Sequence, residues 1–333
     1  MPQIASPARA PLALLALFAL GCATEQEHAA QPPNEATRHA PSASVSASTA
    51  ALIPPAAANA NANASTPDDA FTPPAQLRLP STLQAGERVP LLLVLHGFGV
   101  SSTLLIAKAG LNQLADRKKF AYLAPEGARD RLGRPFWNAG KSCCDLDRQG
   151  VDDVKRLREL LDAHLSNASI DPSRVFVIGY SNGGFMAQRL ACDVGDRIAG
   201  VISVAGAAPA PDVACAQSSA LSFLEIHGDA DPVVHYAGGT VFDRTDVSGH
   251  LGAADTAKYW AQLLSCTGKL HDVTTLDLEP YVAERETTVQ RYDGCRGAVE
   301  LWTVRGGGHY VALQPPALDA IWAFIQAHPK GGS

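Results

Sequence analysis

The stretch Arg174-Val175-Phe176-Val177-Ile178-Gly179-Tyr180-Ser181-Asn182-Gly183-Gly184 decides the fold. Its apolar run is short and uninterrupted, as in a strand buried on both faces. It runs into Gly-x-Ser-x-Gly, and Phe185-Met186-Ala187-Gln188-Arg189-Leu190 then takes up a helical pattern. Strand, sharp turn and helix make a nucleophile elbow, with Ser181 exposed at the strand's C-terminal edge and at a helix N-terminus. Gly179 and Gly183 flank the serine because a Cβ there would collide with the neighbouring strand or helix. The same pentapeptide in a plain loop would carry no such meaning; the strand before it and the helix after it give it one.

A serine hydroxyl is a weak nucleophile and needs a base, itself oriented by an acid. With this elbow the chain order is serine, acid, histidine. Leu221-Ser222-Phe223-Leu224-Glu225-Ile226 reads as a strand, and His227-Gly228-Asp229-Ala230-Asp231-Pro232-Val233-Val234 as the turn after it. Asp231 is the preferred acid, since its spacing from His227-Gly228 leaves room for the loop to bend back. Asp229 is the alternative, and both could simply cap the turn. Leu301-Trp302-Thr303-Val304 is a further strand, and Arg305-Gly306-Gly307-Gly308-His309 lets a flexible backbone swing His309 over the elbow as base. Among the ten histidines, His96 and His227 sit in His-Gly turns where the ring braces a loop. The oxyanion donors are expected to be the backbone N–H groups of Phe98 and Asn182. Phe98 lies in His96-Gly97-Phe98-Gly99, after the strand Pro90–Leu95.

Taken together these pieces resemble the secreted polyhydroxybutyrate depolymerase/feruloyl esterase family of α/β-hydrolases. The shared motifs, in family order, are Leu95-His96-Gly97-Phe98-Gly99, Trp137-Asn138-Ala139-Gly140 before Cys143-Cys144, and Val151-Asp152-Asp153-Val154. Gly179–Met186, Arg189-Leu190-Ala191-Cys192, Ile226–Val234 and Gly306–His309 complete the set, which spans most of residues 72–329. The resemblance implies a mostly parallel central sheet with helices on both faces, ester hydrolysis without a cofactor, and Ser181, Asp231 and His309 as the triad. Two departures stand out. The family usually continues its histidine loop with Thr-Trp-Pro-Gly, where this chain has Tyr310-Val311-Ala312-Leu313. Its usual Asp-Asp-Val-Gly-Phe is here Asp152-Asp153-Val154-Lys155-Arg156.

Composition sets the surroundings. Residues 23–71 are dominated by Ala, Pro, Ser, Thr and Asn, too little apolar surface to offset ordering entropy, and read as a flexible tether. From residue 72 to 330 strand and helix patterns alternate, as in one α/β domain. The net charge of −6 is mild and no basic stripe appears, which argues against nucleic-acid binding. At the N-terminus, Arg9 precedes the apolar stretch Leu12–Leu20, too short to span a bilayer, and Gly21-Cys22 follows. Residues 1–22 therefore read as a lipoprotein-type export signal with Cys22 lipidated, which would anchor the protein at the cell surface or outer membrane. The rival is an ordinary signal peptide cleaved nearby, for example after Ala23. Setting Cys22 aside, six of seven cysteines remain, an even number that suits disulfides in an exported chain. Cys266–Cys295 is the favoured pair. Cys143, Cys144, Cys192 and Cys215 stay unassigned. No Cys-x-x-Cys occurs, so no metal is expected.

Trp137, Tyr180 and Tyr310 are candidate substrate-pocket residues, although Trp137 could equally cover core. Asp152 and Asp153 open a helix and read as its N-terminal caps. Residues 236–255 and 273–292 fit no element, and either could cover the site. The rival from another class is a non-catalytic surface binding protein on the same fold.

Overall fold

Along each central strand the side chains alternate between two helical layers, and this alternation organises the molecule. The structure, a computed structural model, describes residues 75–208, 215, 219–312 and 314–331. The expected export signal with Cys22, and the tether to residue 71, lie outside the described residues.

In chain order the elements begin with β1 (Val89–Leu95), α1 (Ser102–Lys108), α2 (Leu111–Lys118) and β2 (Ala121–Leu123). A small hairpin, β3 (Ala128–Arg129) and β4 (Pro135–Phe136), precedes α3 (Asp153–Leu165). The elbow unit is β5 (Ile170–Tyr180) and α4 (Asn182–Val194), followed by β6 (Gly200–Val204) and β7 (Ser222–Gly228). A second hairpin, β8 (Gly238–Gly239) and β9 (His250–Leu251), leads into α5 (Ala253–Leu263). The described chain closes with β10 (His271–Leu276), β11 (Thr287–Tyr292), β12 (Val299–Val304) and α6 (Pro315–Ala327).

Among the described residues eight strands form one sheet in the order β10-β11-β12-β7-β6-β5-β1-β2. Pairing is parallel from β12 through to β2, and antiparallel only between β10, β11 and β12. Leu91, Leu93, Val175, Val177, Val201 and Phe223 face the layer of α3, α4 and α5. Leu92, Val94, Phe176, Ile202 and Leu224 face α1, α2 and α6. Burial on both faces is why these strands read as continuous apolar runs, each buried Leu, Val or Phe contributing about 1.5–3 kcal/mol.

The two segments without a sequence assignment have different fates. Residues 236–255 make the β8–β9 hairpin and a short turn of 3₁₀ helix, Val241–Asp243, beside the candidate site. Residues 273–292 are no cover: they supply most of β10 and β11, the antiparallel edge of the sheet. Three disulfides join Cys266 to Cys295, Cys192 to Cys215, and the adjacent Cys143 and Cys144.

Candidate active site

The elbow forms because β5 and α4 approach so closely that only glycine fits between them. A methyl group at Gly179 would overlap the carbonyl of Gly183, and one at Gly183 would overlap the carbonyl of Leu95 on β1. Ser181 takes φ 54° and ψ −120°, a conformation that side-chain-bearing residues adopt only under constraint. The constraint is visible: Ser181 N–H donates to Val204 O of β6 at 2.8 Å, and Ser181 O accepts from Gly184 N at 2.7 Å.

Three side chains from three loops converge there. Ser181 Oγ lies 2.9 Å from His309 Nε2, and His309 Nδ1 lies 2.7 Å from Asp231 Oδ2. A carboxylate only accepts, so Nδ1 carries the hydrogen and Nε2 is free to accept from the serine hydroxyl. Asp231 Oδ1 accepts from the N–H groups of Val233 (2.7 Å) and Val234 (3.0 Å). Burial works against its ionisation, but hydrogen bonds from His227 and His309 and from Val233 N–H outweigh burial and hold it well below the usual carboxylate range. Asp229, the alternative acid, points elsewhere and accepts from Gly306 N–H at 2.7 Å, bracing the loop that carries His309.

Tyr180 lies under His309: its hydroxyl donates to His309 O at 2.9 Å, and burial pushes its phenol up, so it stays neutral. The Phe98 loop is closed by Val100 N–H on Gly97 O and pinned to β4 by Gly99 N–H on Pro135 O at 2.8 Å. Asn182 is the first residue of α4. Ser181, His309, Phe98, Tyr180 and Tyr310 share one open cleft of about 450 Å³. Leu146, Val233, Phe242, Arg134 and Arg244 complete its walls. Tyr310 is 77% exposed at the mouth and stacks on Tyr180. Arg134 lies 4.7 Å above the Phe98 ring and is paired with Asp130, while Arg244 is paired with Asp246.

Trp137 is a correction. As a pocket wall it fails and as a core-covering residue it holds: it is 1% exposed, its ring against His96 and its Nε1–H donated to His96 O at 2.9 Å. The backbone of residue 137 serves the site instead. Trp137 N–H donates to Asn182 Oδ1 (2.7 Å), and Asn182 Nδ2 donates to Trp137 O (2.9 Å), so the elbow's own asparagine clamps the disulfide loop. Asp152 caps α3 through Lys155 N–H, but Asp153 does not cap. It is buried and accepts from Asn138 N–H at 2.8 Å and from Arg156 at 2.9 Å. Burial pushes its carboxyl up to about 6, against the hydrogen bond from Asn138 and the nearby Arg156. His96 braces its loop, accepting Gly127 N–H at Nε2, and burial lowers its pKa. Sequence reasoning missed the Asn182 side-chain clamp, whose partner lies 45 residues away, and Phe242 and Arg244, which lie outside any periodic segment. Among the described residues no group of three or more His, Cys, Asp or Glu could hold a metal ion.

Sheet, elbow and loop order define an α/β-hydrolase. A family model described as Phospholipase/Carboxylesterase matches residues 82–246. The chain is 38% identical over 149 residues to a putative esterase, NocK, of Nocardia uniformis subsp. tsuyamanensis, covering 45% of this chain and 42% of that protein. It is 30% identical over 250 residues to feruloyl esterase B of Piromyces equi, covering 70% of this chain and 42% of that protein. The match thus spans less than half the length of each of these relatives. An acetyl xylan esterase from Aspergillus awamori shares the fold, with TM-score 0.51, 15% identity, and 74% of this chain and 93% of that one covered. The chain thus has the α/β-hydrolase fold and is similar to proteins named feruloyl esterase and poly(3-hydroxyalkanoate) depolymerase.

Proposed function

We propose that this protein is an exported serine carboxylesterase. The observation that carries the reading is the unbroken series Ser181–His309–Asp231 at the floor of an open cleft. Ser181 Oγ attacks the ester carbonyl as His309 Nε2 takes its proton, and Asp231 holds the imidazole's tautomer and offsets the imidazolium charge. The N–H groups of Phe98 and Asn182 receive the oxyanion, one from a pinned loop and one from a helix N-terminus, so neither must reorganise as charge develops. His309 then protonates the departing alcohol, and water repeats the cycle on the acyl-enzyme. These steps draw on no cofactor.

The substrate classes are feruloyl or acetyl esters of plant polysaccharides and oligomers of poly(3-hydroxyalkanoate). Phe98, Phe242 and Tyr310 around the serine favour a flat, aromatic acyl group. Residues 1–22 direct export, and Cys22 carries the lipid that anchors the enzyme to a membrane surface, with residues 23–71 as tether.

The test is hydrolysis of para-nitrophenyl acetate, butyrate and octanoate, methyl ferulate and a 3-hydroxybutyrate trimer by wild type and Ser181→Ala. Turnover by wild type, lost by on the order of 10⁴-fold in a folded Ser181→Ala protein, is the expected result. Methyl ferulate should be preferred. No turnover of any ester by folded wild type would overturn the reading in favour of a non-catalytic binding protein.

A further inference from the structure

Behind Asp231 lies a buried pair that the reaction above leaves unused. Glu225 and His227 stand two residues apart on β7 and so share one face of the strand, both fully buried. His227 Nε2 is 2.8 Å from Val234 O and 3.4 Å from Asp231 Oδ2. A carbonyl only accepts, so Nε2 carries a hydrogen. Val234 in turn donates its own N–H to Asp231 Oδ1. One imidazole therefore grips the Asp231–Val234 turn and faces Oδ2, the oxygen that receives His309 Nδ1–H. On its other side His227 Nδ1 lies 3.2 Å from Glu225 Oε1. Glu225 Oε2 accepts from Gln188 Nε2 at 3.2 Å, and Gln188 Oε1 accepts Trp260 Nε1–H at 2.9 Å, so the series is seated in the core between α4 and α5.

We propose that Glu225 and His227 form a positioning unit for the triad, in which Glu225 holds His227 as an imidazolium and His227 fixes the orientation and the charge of Asp231. This rests on the esterase reading above. A buried ion pair is seldom the cheapest way to fill a core, since apolar residues of the same volume are often as stable. Here it ends on the one carboxylate whose ionised state the reaction requires.

The surroundings agree. Burial opposes the charge on both partners, raising Glu225, but Asp231 and Glu225 together raise His227 in spite of burial, which leaves the proton on the imidazole. The titratable groups facing His227 are Glu225 on its own strand, Asp231 and Tyr236 from the loop beyond, His250 from β9, and His309 past Asp231. From α4 and β6 come the neutral Gln188 and Ser203, on the Glu225 side.

The experiment compares wild type, Ser181→Ala, Glu225→Gln, His227→Gln and the double variant in the full chain. kcat and KM for para-nitrophenyl acetate, and the rate of Ser181 labelling by a fluorophosphonate, are followed between about pH 5 and pH 9. Removing the positive charge beside Asp231 leaves that carboxylate less offset, so the triad keeps a proton to higher pH. The acid side of both profiles should move upward by roughly half to one pH unit. kcat should fall on the order of tenfold, short of the ~10²-fold of frank misplacement, with KM within about twofold. The double variant should be no worse than the poorer single one. Additive losses, an unmoved acid limb, or loss of the folded state in both single variants would overturn the proposal and leave the pair a structural one. Labelling reports on the triad without an ester. A wild type that labels but turns over no ester removes the esterase reading alone, while one that does neither removes both.

Discussion

Ser181 concentrates the local physics in one backbone. Its φ of 54° with ψ of −120° costs a side-chain-bearing residue about 1–3 kcal/mol, and glycine almost nothing. The strain is held by Val204 O on one side and by the start of α4 on the other. Ser181→Gly should therefore be inactive yet more stable than Ser181→Ala by about 1 kcal/mol, after glycine's own entropy cost, raising Tm by about 2–4 °C. Thermal melts of the two variants check this, and equal Tm values would mean that the elbow is not strained. At this scale much was legible in advance. Gly-x-Ser-x-Gly between strand and helix picks out Ser181, and three glycines at a strand end pick out His309 among ten histidines. Asp229 and Asp231 were harder to separate, because both follow the same strand and both accept backbone hydrogen bonds. What separates them is the direction of each carboxylate, which depends on the path of the chain through Pro232 and Val233.

At the scale of elements, one buried carboxylate and two disulfides can be tested. Asp153 sits in the first turn of α3 with its carboxyl raised to about 6. The folded state thus holds this proton to higher pH than the unfolded chain, where an aspartate titrates near ~4. Between those values the folded state binds more protons, and stability falls as pH rises, by roughly 2–3 kcal/mol from this group. In Asp153→Asn that slope should vanish, whatever constant offset follows from Arg156's altered partner. Denaturant unfolding at about pH 4 and pH 6 reads the difference. The disulfides should divide by what they enclose. Cys266–Cys295 closes 29 residues of chain, so replacing both with serine should cost about 3–4 kcal/mol in the loop-entropy account. Cys143–Cys144 closes no loop, but Cys143 Sγ lies 3.5 Å from Asn182 Nδ2. Its double serine variant should melt within a few degrees of wild type yet lose kcat/KM by about tenfold, if the loop helps to hold Asn182. The central strands could be read from their apolar runs because both faces are buried. β10 could not, because it is mostly exposed and lacks either period, and β11 buries only Thr287 and Val289 fully.

For the whole molecule, the proposal is an enzyme held at a surface. Cys22→Ser should abolish incorporation of labelled palmitate and move the protein from the membrane to the soluble fraction. Labelling that persists in the variant would point to an ordinary signal peptide. Among the described residues no helix is long and apolar enough to cross a membrane. The sequence by itself determined the order of layers, the elbow and the favoured identities of the three side chains that converge at it. Those depend on local matters: hydrophobic period, the small residues a tight turn demands, and the chain order of loops at one edge of a parallel sheet. Only the tertiary structure decided what surrounds them. Trp137 turned inward because its indole N–H finds a buried carbonyl on a neighbouring loop. Asp153, in the first turn of α3, turned its carboxylate to Asn138 N–H, 15 residues earlier, rather than capping the helix. His227 reached Asp231 because a loop folds back over β7. The Trp137 and Asp153 contacts join residues far apart in sequence, the His227 contact depends on the direction a short turn takes, and each is fixed by which polar groups would otherwise be buried without a partner.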